Sequence, residues 1–428
     1  MRYKWLMRFL PILFWVGCHD SSVIYSGNED FATDSGDTDS IMVIQPRRPE
    51  HQTIDSDSTA SSDSATDDTA NDTDTTEHPT WTMMMYMDAD SNLEADMLID
   101  LEEVSRVNTS DWLNILVLFD RHAQYDVSDG NWTGTRLFKV NPAVAGGLER
   151  LSEPLYLELT NTGDNEEKDM GDPATLDEFV YFSMSQFPAD HYALVLSGHG
   201  NGWSKKGGED APPDPKFICS DDSGTSNGIS IQGELAPLLA NRGIDVLGFD
   251  ACLMGMVEVA WAVKDSVSYV IASEGNEASY GWDYLTWLSR WMAGSATPRT
   301  LAEEQVAAYR YFHEEWNLEP WLMTMAAVET AKLDALGEAI DAFVANYDVS
   351  AYVHQAMTFD DYYDYYYDLM DIAELSGDAQ LKEAIQNAVI SSWNSDYAEV
   401  PGGLSIFYMN GSVYEYQQTR FCQELDWC

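Results

Sequence analysis

Two stretches of the sequence decide the fold, Tyr192-Ala-Leu-Val-Leu-Ser-Gly-His199-Gly200 and Ile244-Asp-Val-Leu-Gly-Phe-Asp250-Ala-Cys252. Each is a short apolar run that stops at a residue able to do chemistry, and such a run is typical of a buried strand. In open α/β sheets, functional groups collect at the carboxyl ends of the strands. The pattern therefore predicts an imidazole and a thiol on one edge of a sheet, which is the minimum for an activated cysteine nucleophile.

The segments around these two strands alternate between strand and helix patterns. Further strands are predicted at 81–87, 113–119, 135–140, 269–272 and 403–409, and helices at about 92–107, 175–187, 231–240 and 253–263. The portion 296–395 has a mostly helical pattern. Alternating short strands and helices predict an α/β fold, with a largely parallel sheet covered on both faces.

The charge of the chain limits its partners. Its 428 residues include 22 Lys and Arg against 73 Asp and Glu, for a formal net charge of -51. Binding to nucleic acid depends on basic side chains that neutralise phosphates, so nucleic acid is excluded as a partner. Cationic substrates would be attracted by such a field. Because the acidic residues are scattered along the chain, most of the charge is expected to serve solubility.

The first 18 residues have the pattern of an export signal. Arg2, Lys4 and Arg8 precede an apolar run at 9–16, and Gly17-Cys18 follows. The run is shorter than the roughly 20 residues that a membrane-spanning helix needs, and it fits a cleaved signal peptide. The end of the run resembles a bacterial lipobox, with Trp15 where leucine is usual. We therefore expect an exported protein with a lipid anchor on Cys18, or otherwise a secreted or periplasmic one.

The acidic segment 19–80 separates this signal from the rest of the chain. It is rich in Asp, Ser and Thr and almost free of aromatic residues, and such a composition cannot bury enough apolar surface to fold. We expect a disordered tether, followed by one folded domain over 81–428. Near the end of that domain, Cys422 and Cys428 are spaced to close a small disulfide loop.

Taken alone, Cys252 and His199 could each be either a catalytic residue or a residue with a purely structural role. A helix that begins just after Cys252 would favour its thiolate through the helix dipole, whereas the nearby charge of Asp250 would oppose it. His199 would act as a general base, and the Gly200 N–H would help to form an oxyanion hole. The alternatives are a buried, inert cysteine and a histidine in a glycine-rich turn.

The two stretches resemble the His-Gly and Ala-Cys motifs of the clostripain family of cysteine peptidases, which share the caspase–gingipain type of fold. The similarity continues through further segments in the same order, over roughly residues 81–410. These segments are 86–94 with its Asn-Leu turn, 187–194, 199–203, 249–260, 273–274 and 281–284, and more weakly 368–372 and 403–406. Several ordered motifs are far more specific than any one of them.

The resemblance implies a three-layer α/β/α fold and a set of roles. Cys252 would be the nucleophile and His199 its partner, with oxyanion donors at the N–H groups of Gly200 and Cys252. Asp250 would lie at the base of the pocket for the residue before the scissile bond, where a carboxylate selects Arg or Lys. The family also implies self-cleavage between the two catalytic residues. Candidate sites are Lys205, Lys206 and Lys216.

The chain departs from the family pattern at two places. Ser197-Gly198 precedes the histidine, where many relatives have a bulky residue and aspartate. The segment 275–280 lacks the Pro-Gly that relatives often carry in a loop that shapes the specificity pocket. The strength of the preference for Arg or Lys therefore depends on this loop. The alternative function is a non-catalytic surface lipoprotein that uses the fold as a binding module.

The sequence assigns no metal ligand. Asp88-x-Asp90-x-Asn92 begins like an EF-hand loop, but Leu93 and Ile99 stand where glycine and glutamate are required. Calcium matters for some members of the resembled family, so the resemblance leaves a calcium site open elsewhere in the chain.

Overall fold

The computed structural model describes residues 78–151, 167–203, 217–316, 322–359, 365–395, 402–409 and 414–428. The predicted signal peptide with Cys18 and the predicted tether up to residue 77 lie outside these ranges. So do Lys205, Lys206 and Lys216.

The strands are numbered here in chain order. They are β1 (Trp81–Ala89), β2 (Leu113–Arg121), β3 (Arg136–Val140), β4 (Leu148–Arg150), β5 (His191–Ser197), β6 (Val246–Asp250), β7 (Tyr269–Ala272), β8 (Thr324–Glu329), β9 (Tyr366–Asp368), β10 (Val389–Asn394) and β11 (Ser405–Phe407).

The helices are numbered in the same way. They are α1 (Glu94–Ser105), α2 (Pro173–Gln186), α3 (Ala236–Leu239), α4 (Val257–Val263), α5 (Tyr284–Met292), α6 (Pro298–Trp316), α7 (Leu333–Asn346), α8 (Ser350–Val353), α9 (Leu369–Ser376), α10 (Ala379–Ala388), α11 (Tyr414–Gln417) and α12 (Arg420–Glu424). A turn of π-helix at Ile231–Leu235 leads into α3.

A nine-stranded sheet forms the centre of the molecule, in the order β10-β8-β7-β6-β5-β1-β2-β3-β4. The five strands from β7 to β2 run parallel to one another. Antiparallel strands complete the sheet at both edges. The parallel strands all end at the same edge, and this edge carries the candidate site. Strands β9 and β11 form a separate antiparallel pair.

Two apolar cores cover the two faces of the sheet. In β1, Met84 and Tyr86 belong to the core that contains residues of α2, α4 and α7. Met83 and Met85 point the other way, into the core formed with α1, α5 and α6. A strand buried on both faces is apolar throughout rather than alternating, as the sequence of β1 is. The predicted three-layer α/β/α fold is therefore confirmed.

The prediction of a helix from 253 was wrong, because α4 begins only at Val257. The chain between Cys252 and α4 pairs instead with the segment after β7. Leu253 N donates to Gly275 O over 2.9 Å, and Gly255 N donates to Ser273 O over 2.6 Å. Leu253 has φ 63, a left-handed conformation that helices exclude. Tertiary pairing has overridden the helical preference of these residues.

The C-terminal part holds more strand than its helical pattern suggested. It contains the helices α6 to α10, but β8 and β10 extend the central sheet beyond β7. The predicted disulfide between Cys422 and Cys428 is confirmed, with Cα atoms 5.4 Å apart. No helix among the described residues combines the length and the apolar character needed to cross a membrane.

Candidate active site

The two motifs meet because β5 and β6 are neighbouring parallel strands. Ser197 pairs with Asp250 at their ends, so His199 and Cys252 each lie two residues beyond the sheet. The backbones are in close contact here. A Cβ atom added to Gly200 would lie 2.7 Å from the carbonyl oxygen of Cys252, which is closer than a side chain can approach. Glycine at this position therefore allows the two segments to touch.

His199 is held by a residue from a third segment. Its Nε2 atom lies 2.6 Å from Oδ1 of Asn92, in the turn between β1 and α1, and only 8% of His199 is exposed. Since an amide oxygen only accepts hydrogen bonds, Nε2 carries the hydrogen of the neutral ring. Nδ1 is then the basic atom that can take up a proton.

Cys252 is buried and is contacted by the loop that follows β7. The backbone N–H of Glu277 donates to Sγ of Cys252 over 3.0 Å. The sulfur of Cys252 belongs to a disulfide in this structure; in the reduced protein, a hydrogen bond donated to it would favour the thiolate. The expected help from a helix dipole is absent, because α4 begins five residues after Cys252 and the effect fades within one turn. The backbone N–H of Glu277, in the 275–280 loop, therefore supplies the stabilisation of the thiolate that was predicted to come from a helix N-terminus.

A cavity beside Cys252 is lined by three buried carboxyl groups. Asp250 ends β6, Asp100 comes from α1, and Glu277 comes from the loop after β7. Oδ2 of Asp250 accepts hydrogen bonds from the Tyr284 hydroxyl over 2.8 Å and from Ser197 Oγ over 3.2 Å. These contacts fix the orientation of the Asp250 carboxylate relative to the cavity.

The carboxyl groups of this cavity influence one another strongly. Burial, followed by the charge of Asp250, raises the pKa of Glu277 well above its usual range. Burial and the same charge raise the pKa of Tyr284, so its hydroxyl stays protonated and donates to Asp250. A cationic group entering the cavity would relieve this repulsion and favour ionised carboxylates.

Sequence reasoning placed Asp250 here but gave no role to three neighbours. In the sequence, Asn92 belongs to a turn motif and Glu277 to the segment 275–280 that departs from the family pattern, and neither position by itself indicates a role. Asp100 carried a detectable signal, since it lies among the buried residues of α1 with Met97 and Leu101. A charged residue on the apolar face of a helix is rarely buried without a purpose.

The α/β/α sheet, with a histidine and a cysteine at the carboxyl ends of neighbouring strands, defines a protein of the caspase-like fold. The chain belongs to the clostripain family, whose sequence profile matches residues 85–403. Clostripain of Hathewaya histolytica is 32% identical over 258 residues, which cover 53% of this chain and 48% of the relative. The match thus spans about half the length of that curated relative.

Solved structures show the same fold. An inactive zymogen of a C11 protease from Parabacteroides distasonis has a TM-score of 0.61 and 18% identity, covering 81% of this chain and 98% of that one. A secreted C11 cysteine protease from Bacteroides thetaiotaomicron, in complex with an irreversible peptide inhibitor, has a TM-score of 0.62 and 20% identity. It covers 81% of this chain and 99% of that structure.

Proposed function

We propose that the protein is an endopeptidase that uses Cys252 and His199 to cleave peptide bonds after Arg or Lys. The observation that carries this proposal is the cavity next to Cys252, with the carboxyl groups of Asp250, Asp100 and Glu277 in its wall. Such a cavity suits a guanidinium or ammonium group, which would pair with buried carboxylates. The inhibitor-bound relative from Bacteroides thetaiotaomicron supports a peptide as the ligand.

The proposed reaction begins with the Cys252 thiolate attacking the carbonyl carbon of the scissile bond. The carbonyl oxygen becomes an oxyanion that accepts hydrogen bonds from the N–H groups of Gly200 and Cys252. Among the described residues, no acceptor pairs with the Gly200 N–H, which leaves it available for this role. Nδ1 of His199 then gives its proton to the leaving amine. Water hydrolyses the remaining thioester and restores the thiolate.

Asn92 is expected to keep His199 in the productive tautomer. Asn92→Ala should lower kcat by about 10- to 100-fold, since the ring would lose the acceptor that fixes Nε2–H. Asn92→Asp keeps an acceptor oxygen and should shift the alkaline limb of the pH–rate profile to higher pH, because a negative charge raises the pKa of the imidazole, whose protonated form is the proton donor to the leaving amine. Steady-state kinetics across pH would check both variants. An unchanged kcat and pH profile in Asn92→Ala would remove this positioning role.

The proposed function is tested by peptide substrates that differ only in the residue before the scissile bond. Full-length protein should hydrolyse the arginyl and lysyl peptides with kcat/KM at least about 100-fold above the alanyl and glutamyl ones. A peptidyl electrophile with arginine at that position should label Cys252, as peptide mapping would show. Equal turnover of all four peptides would refute the basic preference. Turnover without labelling of Cys252 would refute the nucleophile.

Self-cleavage and export belong to the same proposal. We infer processing at Lys205, Lys206 or Lys216, since these basic residues lie in the segment between His199 and Cys252. Mass spectrometry should find the cut chain in wild type and the intact chain in Cys252→Ala. An active but intact wild-type chain would reject the inference. Lipidation of Cys18 follows from its lipobox-like context and should disappear, by fatty-acid labelling, in Cys18→Ser.

The alternative of a non-catalytic binding module has no support from the comparisons. The relatives are peptidases, and the enzyme class follows from the family match. A membrane anchor would be compatible with a peptidase and with a binding module.

A further inference from the structure

Glu277 is buried in the wall of the cavity beside Cys252 with one of its oxygens unpaired. Its side chain receives hydrogen bonds from the indole N–H of Trp282, over 3.1 Å to Oε2, and from the backbone N–H of Ala251. Its other oxygen, Oε1, is buried and has no hydrogen-bond partner among the described residues. No ion pair in the described part of the chain includes Glu277. An ionised carboxylate in such a place is costly.

Asp250, the neighbour of Glu277 in the cavity, is better placed to carry a negative charge. The hydroxyl groups of Tyr284 and Ser197 both donate to its Oδ2 atom. Since hydrogen bonds donated to a carboxyl group favour its ionised form, these contacts favour the charge on Asp250 rather than on Glu277. After burial, the charge of Asp250 is the largest influence that raises the pKa of Glu277. The two groups therefore titrate as a pair, and one proton on the pair costs less than two negative charges.

The groups that face Glu277 from the surrounding helices are acids and phenols. From α1, Asp100 lines the same cavity. Its carboxyl group lies close to that of Asp250, because a Cβ atom added to Gly281 would be 3.1 Å from Asp100 Oδ2 and 2.9 Å from Asp250 Oδ2. From α6, the hydroxyl of Tyr309 is near enough that the charge of Glu277 is, after burial, the largest influence that raises its pKa. These neighbours bring no positive charge to Glu277.

We propose that Glu277 holds a proton in the free enzyme, and that this proton leaves for the solvent when the basic side chain of a substrate enters the cavity. The inference rests on the proposed preference for Arg or Lys. The guanidinium or ammonium group replaces the charge of the proton, so the cavity has the same net charge when empty and when filled. A neutral side chain cannot replace the proton, and Glu277 then stays neutral. Glu277 is therefore a second residue that determines specificity.

Release of this proton makes the binding of basic ligands depend on pH in a defined direction. Burial and the charge of Asp250 raise the pKa of Glu277 in the free enzyme, whereas a bound cation would lower it again. Between these two titrations, each basic ligand displaces one proton, so its affinity should rise by about 10-fold per pH unit. Above the titration of the free enzyme no proton is left to displace, and the affinity should become constant.

Calorimetry can count the released proton. The full-length, reduced protein would be titrated with a short peptide that ends in argininol, which has no carbonyl group for Cys252 to attack, and with the same peptide ending in the neutral citrullinol. Each titration is repeated in buffers of different ionisation enthalpy, since the heat then reports the protons released. At neutral pH, the argininol peptide should release close to one proton more than the citrullinol peptide. The citrullinol peptide corrects for protons that His199 and Cys252 exchange when any ligand binds.

Glu277→Gln should abolish the difference between the two peptides, because glutamine has no proton to release. It should also weaken binding of the argininol peptide at least about 10-fold at about pH 8. Glutamine keeps an acceptor for Trp282 Nε1, so the variant is expected to fold. Glu258→Gln is the matched control, because burial raises the pKa of Glu258 to about 7, but its partners Phe407 and Tyr416 lie outside the cavity. This control should release as many protons as the wild type.

Two outcomes would overturn the role of Glu277 and leave the proposed function intact. One is tight binding of the argininol peptide that releases no more protons than binding of the citrullinol peptide, at every value between about pH 6 and 8. The other is an unchanged difference in Glu277→Gln, when circular dichroism shows that the variant is folded. By contrast, an argininol peptide that binds no tighter than the citrullinol peptide at any pH would overturn the basic preference and this inference together.

Discussion

Replacing Cys252 by alanine is expected to lower kcat for arginyl peptides by about 10⁴-fold or more. The variant loses the atom that forms the thioester, and no other group at the site can replace it. Because alanine is smaller and apolar, it fits the buried position of Cys252, although the Glu277 N–H loses the sulfur that accepts its hydrogen bond. The loss should appear in kcat, measured with fluorogenic peptides under saturating conditions.

Cys219→Ala is the matched control for this experiment. Cys219 is also a buried cysteine and lies near the site, but its contact with His199 is made by the backbone, which alanine preserves. We expect it to keep most of the activity. His199→Ala should resemble Cys252→Ala, since residues that act as a unit show similar single losses. Substantial residual hydrolysis in purified Cys252→Ala would disprove the nucleophile assignment.

Asp250→Asn is expected to reduce kcat/KM for arginyl and lysyl peptides by about 100-fold or more. Removing one partner of a buried charge pair costs about 2–5 kcal/mol, because the other charge stays buried without compensation. Asparagine is nearly isosteric and can still accept hydrogen bonds from Tyr284 and Ser197. Hydrolysis of an alanyl peptide should change far less, which separates loss of specificity from loss of folding. The measurement is a comparison of kcat/KM values across these substrates.

A control for Asp250 exists at the opposite end of the same strand. Asp245 immediately precedes β6 and contacts His191 over 3.1 Å, far from the catalytic edge. Asp245→Asn should leave the ratio of arginyl to alanyl hydrolysis unchanged. If Asp250→Asn also left that ratio unchanged, Asp250 would have no part in recognition. Recognition of the basic side chain would then depend on Asp100 and Glu277, the other carboxyl groups of the cavity.

The central part of the fold could be predicted because its strands are buried on both faces. Continuous apolar runs such as β1 and β5 have few alternatives, and β7 was located at Tyr269–Ala272 from its sequence alone. The edge strand β10 is only partly buried, so its sequence lacks that signal. The start of α4 was misplaced for another reason. Residues 253–256 have helical preferences, but long-range hydrogen bonds with the 273–275 segment determine their conformation.

The residues of the candidate site also fall into those that the sequence could locate and those that it could not. His199 and Cys252 could be located because each follows a recognisable strand by two residues, and Asp250 because it is the last residue of one. Asn92, Asp100 and Glu277 reach the site from separate segments, and their distances depend on how α1 and the loop after β7 pack. No spacing rule in the sequence encodes those distances. The pairing of Glu277 N with the Cys252 sulfur could be found only from the fold.

The adjacency of β5 and β6 has a consequence for a chain that has been cut. Residues 204–216 join two halves of the molecule, with β1 to β5 before the cut and β6 to β11 after it. The two halves share one sheet, since β6 pairs with β5 along its whole length. Scission would therefore yield two polypeptides that remain a single particle in solution and separate only on denaturation. His199 and Cys252 would then belong to different polypeptides of one enzyme.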